Sequence, residues 1–82
     1  MSTATVTEFP NPSKRVTVRE RDAYRRRIRA LGWSQNEAAR QIGKNEGLFS
    51  RWLRGEMPSK IIRGLINERL EVAERARQER AS

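Results

Sequence analysis

The chain has 82 residues, 35% hydrophobic and 34% charged, with 18 Lys and Arg against 10 Asp and Glu and a net charge of +8. This is room for one domain with one modest core, and the charge balance favours a polyanionic partner. Cys and His are absent, which removes disulfides, thiolate nucleophiles, Cys-based zinc sites and the usual general base and metal ligand. No apolar run approaches the ~18 residues of a membrane span, and the first residues lack the apolar stretch of a signal peptide. The composition predicts a soluble cytoplasmic protein that needs no metal, cofactor, membrane or small-molecule ligand.

Residues 1–15 read as a flexible N-terminal arm. Pro10 and Pro12 bar helix there, and Val6 and Phe9 are its only bulky apolar residues, Phe9 being the one that could dock it. Thr17 with Glu20 three residues later makes a capping-box pattern, so a first helix is expected from about Val18 to Leu31, stopped by Gly32. Ala23, Tyr24, Ile28 and Leu31 form its apolar stripe, with Arg25, Arg26, Arg27 and Arg29 on the remaining faces. Ser34, again with a Glu three residues on, opens a second helix from Gln35 to Ile42. Ala38, Ala39 and Ile42 face inward, and the alanines are small enough to let another helix cross closely. Gly43 and Lys44 make a turn.

Asn45 caps a third helix from Glu46 to Arg54, with Phe49, Trp52 and Leu53 as its apolar face and Gly55 as its stop. Glu56, Met57 and Pro58 form a loop. Ser59 caps a fourth helix from about Lys60, whose stripe of Ile61, Ile62, Leu65, Ile66 and Leu70 continues to Val72 and Ala73. Residues 74–82 alternate Arg and Glu around Ala76, as an exposed helical extension would. The reading is an all-α, compact four-helix fold with its domain at residues 16–73.

The stretch from Leu31 to Ser59 carries the functional signal. Two short helices start about a dozen residues apart, with Gly at the turn and Ala at the crossing, which is the helix-turn-helix arrangement. One helix enters a major groove and the other braces it. The segment Gly32-Trp33-Ser34-Gln35-Asn36-Glu37-Ala38-Ala39-Arg40-Gln41-Ile42-Gly43 resembles the first half of the motif in the Cro/lambda-repressor-like (XRE-type) helix-turn-helix family. The segment Leu48-Phe49-Ser50-Arg51-Trp52-Leu53-Arg54-Gly55, followed by Pro58, resembles its second half.

The resemblance implies a lambda-repressor-like fold and residue roles. Gln35 would contact a DNA phosphate and brace the first residue of the recognition helix. The recognition helix would be Glu46–Arg54, with Asn45, Glu46, Gly47, Ser50 and Arg51 towards base edges. Arg51 is the strongest candidate, because a bidentate Arg–guanine contact discriminates by about 1–3 kcal/mol. Lys44 and Arg54 suit phosphates, as does Ser34 beside Gln35. Arg15 and Arg19, with Lys14, could reach phosphates or a minor groove.

Some positions depart from the family pattern. Glu46 either accepts from a cytosine amino group or only favours the helix start. Gly47 costs about 1 kcal/mol of helix propensity and either permits close approach to DNA or weakens the helix. Leu53 is expected in the core, and Leu48 is open between core, a partner and a thymine methyl.

Charge is unevenly placed. There are 8 basic and 3 acidic residues up to Trp33, 4 and 3 from Ser34 to Ser59, and 6 and 4 beyond. The two-helix unit is therefore almost neutral, and the run from Arg25 to Arg29 reads equally well as a solvated face.

The expected function is a sequence-specific double-stranded-DNA-binding regulator, a small Cro-like repressor of the phage or prophage kind. It would act by occupancy, as a homodimer on paired half-sites, and be nucleoid-associated through its DNA. The alternative is a helix-turn-helix adaptor, such as an antitoxin or small terminase subunit, whose last helix binds a partner protein. An enzyme finds no support: Glu37 and Glu46 are explained by capping, and the sequence has no phosphate-cradling Gly-rich loop or metal-ligand cluster.

Overall fold

The structure is a computed structural model that describes residues 14–81. The expectations for the arm up to position 13, Phe9 included, lie outside the described residues. Among the described residues four helices make an all-α domain: α1 (Val18–Ala30), α2 (Gln35–Gln41), α3 (Glu46–Leu53) and α4 (Lys60–Ala81). Their starts are set locally. Thr17 and Glu20 form a reciprocal capping box. The side chains of Ser34, Asn45 and Ser59 each accept a backbone N–H three residues ahead.

The first three helices end alike. The N–H of the residue after the stop glycine donates to a carbonyl five positions back: Trp33 to Ile28, Lys44 to Ala39 and Glu56 to Arg51. This Schellman closure needs a left-handed residue, and Gly32, Gly43 and Gly55 have φ of 78°, 73° and 80°. Gly55 is doubly required, because a Cβ there would lie 2.7 Å from the Val16 carbonyl oxygen.

The core is built around Trp52. Its ring lies 5.4 Å from Tyr24 and 5.8 Å from Phe49, centroid to centroid, in tilted geometry. The Arg63 guanidinium covers it at 5.8 Å. The largest fully enclosed side chains are Trp52, Phe49 and Leu53 from α3 and Ile62, Ile66 and Leu70 from α4. An aliphatic or Phe side chain so buried contributes about 1.5–3 kcal/mol, so α3 and α4 supply most of the core's enclosed bulk. Ala38 and Ala39 are buried where α2 meets the core.

Three side chains expected in apolar stripes turn outward. Ala23 is exposed on α1, and Ile61 and Val72 are 67% and 46% exposed on α4. The inward face of α4 is the row Ile62, Ile66 and Leu70 at a spacing of four, and a residue one or two positions from it is rotated by about 100° or 200°. The core instead gains Val16, with Trp33, Leu48, Met57 and Leu65 packed at its margin. Leu53 is buried as expected.

A polar seam joins α1 to α4. Glu20 accepts from Arg63 Nη1 at 2.9 Å, Tyr24 Oη donates to Asn67 at 2.8 Å, and Arg27 grips Glu74 through two 2.8 Å bonds. These links advance together along both helices, so the two run side by side in the same direction. Arg63 Nη2 also donates to the Lys14 carbonyl, fastening the chain where it enters the domain.

Burial opposes ionisation of Glu20, but the Thr17 N–H and the Arg63 guanidinium outweigh it and hold its carboxyl below the ordinary value. The hydrogen bonds from Arg27 do the same for Glu74. The helix α4 is unbroken through position 74, and residues 75–80 beyond it are exposed. No described helix is long and apolar enough to cross a membrane.

Candidate nucleic-acid interface

The two faces of α3 are dictated by its periodicity. With Phe49, Trp52 and Leu53 turned into the core, Gly47, Ser50, Arg51 and Arg54 fall at i, i+3, i+4 and i+7 on the other side. Gly47, Arg51 and Arg54 are exposed there and Ser50 is half-buried. Asn45 and Glu46 are exposed at the start of the helix, although the Asn45 Oδ1 is committed to the Leu48 N–H as a cap. A Cβ at Gly47 would meet only Asn45 Oδ1 at 3.6 Å, an ordinary contact. Nothing in the fold requires glycine at that position.

The start of α2 is tied to the start of α3. Gln35 Nε2 donates to Glu46 Oε2 at 3.0 Å, so each helix's first residue holds the other's. This gives Glu46 a positioning role in addition to its place at a helix N-terminus. Lys44, half-buried in the turn, donates its backbone N–H to Ala39 and leaves its ammonium uncommitted by any ion pair among the described residues.

Arg51 and Arg54, both expected on DNA, already face Glu56 in the loop that follows α3. Glu56 accepts from Arg54 at 3.0 Å and faces Arg51 at 3.9 Å. The signal for this was present in Gly55. A Schellman closure brings the residue after the glycine back over the one five positions earlier, here Glu56 over Arg51. The same closure at α1 brings Trp33 back beside Ile28, which explains its place at the core margin.

Arg25, Arg29, Trp33, Ser34 and Gln35 line a groove of about 220 Å³ above Ile28. The charge pattern leaves the role of the run from Arg25 to Arg29 open, and the structure puts Arg25 and Arg29 beside the residues that open α2. Arg15 is exposed and immediately precedes Val16, whose carbonyl abuts Gly55. It therefore enters next to the C-terminal end of α3. Arg19 is exposed in the first turn of α1, and no hydrogen bond or ion pair among the described residues joins it to α3.

The assembled surface presents forked cationic donors, a small hydroxyl and an open glycine along one edge. These are groups that bind phosphates and base edges. Among the described residues no group of three or more Asp and Glu is placed to hold a metal ion. Compared with known proteins, the chain matches no family model, no curated protein and no solved structure.

Proposed function

We propose that this protein binds double-stranded DNA sequence-specifically through the outer face of α3 and regulates transcription as a small Cro/lambda-repressor-type helix-turn-helix protein. The observation that carries this reading is the Gln35–Glu46 bond. It couples α2 to α3 at the edge where Gly47, Ser50 and Arg51 stand clear of the core. Asn45 and Glu46 set the start of the recognition helix, and Arg51 reads a base edge. Ser34, Gln35, Lys44, Arg54 and Arg15 lie on phosphates, with Arg19 further along the backbone.

The test is fluorescence anisotropy against duplex from upstream of the protein's own gene and against scrambled duplex, at about 0.15 M salt. A gap of about 10³-fold or more is expected of a sequence reader. Equal, steeply salt-dependent binding to both would remove the regulator reading.

A second copy would dock along the edge of α4 beside α2. Leu65, Glu68, Arg69 and Val72 line a groove there with Gln41 and Ile42, and Arg69 Nε donates to Gln41 at 3.1 Å. Ile61 and Val72 remain exposed there and Leu65 is half-buried. Antiparallel pairing about the midpoint between Glu68 and Arg69 would set Leu65 against the partner subunit's Val72 and Glu68 against the partner subunit's Arg69. Gly64, with open space around it, would leave room for the approach. Sedimentation of the protein with and without duplex tests this. A monomer in both states would hand the stripe to a different protein and favour the adaptor reading.

A further inference from the structure

The arginines from Arg25 to Arg29 divide into two kinds. Arg27 is bound through two bonds to Glu74. Arg25, Arg26 and Arg29 are exposed, and their side chains make no hydrogen bond or ion pair with any described residue. Asp22 is the acidic residue that shares their face. Three guanidinium groups are thus held close together on a rigid helix with little to neutralise them.

Arg25 and Arg29 stand one turn apart and line the groove that Ser34 and Gln35 also line. Gln35 is bonded to the first residue of α3, so this groove adjoins the edge that faces DNA in the proposed function. The α2–α3 unit cannot supply the attraction by itself. From Ser34 to Ser59 it has 4 basic and 3 acidic residues, and Glu56 already engages two of those cations. Binding to a polyanion depends on cations placed against its phosphates.

We propose that Arg25 and Arg29, with the side chains of Ser34 and Gln35, seat one phosphodiester of the DNA backbone, so that α1 provides the phosphate clamp for a nearly neutral reading unit. This rests on the DNA-binding reading above. The planar Arg fork matches phosphate oxygens, and two forks one turn apart can take both non-bridging oxygens. The clamp fixes register without reading sequence.

The experiment compares Arg25→Gln, Arg29→Gln and Arg26→Gln, three equal charge changes on one helix, with folding checked by circular dichroism. Arg25→Gln and Arg29→Gln should each weaken binding to the preferred and the scrambled duplex by the same factor, roughly tenfold, as loss of a charge-assisted hydrogen bond implies. Each should lower the slope of log affinity against log salt by about one. Arg26→Gln should move both much less.

Equal losses in all three variants would mean a diffuse positive field, and unchanged binding in the first two would empty the groove. Either overturns the clamp while the DNA reading stands. Failure of the unsubstituted protein to bind any duplex would instead bring down the DNA reading, and the clamp with it. Calorimetry with inorganic phosphate alone separates the ligand sources: binding that Arg29→Gln abolishes, in a protein whose DNA affinity Arg29→Gln leaves intact, would reassign the groove to a free anion.

Discussion

The inner and outer faces of α3 are made of the same eight residues and obey opposite demands. On the inner face, Phe49, Trp52 and Leu53 are enclosed by three other helices' worth of contacts, and a change of one methylene is felt. On the outer face, Gly47, Ser50 and Arg51 have no part in the core, and a Cβ at Gly47 would make only an ordinary contact with Asn45 Oδ1. A helix so short depends on its inner face for its existence, so the outer face is free to be chosen for what it touches. Stability and recognition are separable here residue by residue, and substitutions can test that separation.

The largest effect should come from the inner face. Trp52→Ala removes the ring that Tyr24, Phe49 and Arg63 all contact, and should cost about 3–5 kcal/mol in denaturant unfolding. In a domain of this size that approaches the whole stability. A loss below about 1 kcal/mol would mean that Trp52 is loosely packed and not the centre of the core.

Arg51→Ala on the outer face should leave unfolding within about 0.5 kcal/mol of the parent. It should relax specificity at one base pair by about 1–3 kcal/mol in a competition assay over single-base variants. Uniform weakening across all variants would instead put Arg51 on a phosphate. A comparable loss of stability would show that its contact with Glu56 matters to the fold, and the two faces would no longer be separable.

Gly47→Ala should act in opposite directions on the two properties. The new methyl meets only an ordinary contact and improves helix propensity, so unfolding should become harder by about 0.5–1 kcal/mol. If the open glycine serves close approach to DNA, the same variant should bind its duplex more weakly. Unchanged affinity would show that the glycine is only a weak point of the helix.

The smallest effect is acid sensitivity of the α1–α4 seam. Glu20 and Glu74 both have carboxyls held below their ordinary value near 4.5. Their stabilisation is therefore complete above that value and is lost as pH falls through their lower folded values. Chemical denaturation from neutral pH down past 4.5 should show stability declining in that acid range, and Glu20→Gln with Glu74→Gln should flatten the decline. Glu74 is about one-third exposed, so its share should be well under 1 kcal/mol. A decline that is just as steep in the doubly substituted protein would place the acid sensitivity elsewhere.

Helix starts and stops were legible because they are decided within five residues. Thr17 with Glu20, the caps at Ser34, Asn45 and Ser59, and the stops at Gly32, Gly43 and Gly55 all act on backbone groups nearby. Apolar spacing likewise assigned Tyr24, Ile28, Phe49, Trp52 and Leu53 to the interior.

The sequence by itself could not decide how the helices are rotated against each other, because that depends on all the contacts at once. Rotation turned Ala23, Ile61 and Val72 outward and drew Val16 into the core. It also paired Glu20 with Arg63 and Arg27 with Glu74, residues more than forty positions apart. The candidate site divides in the same way. The face formed by Gly47, Ser50 and Arg51 follows from helical period alone. The bridge from Gln35 to Glu46, the hold of Glu56 on Arg54, and the meeting of Arg25 and Arg29 with Ser34 and Gln35 exist only once tertiary packing has brought separate segments within reach of a side chain.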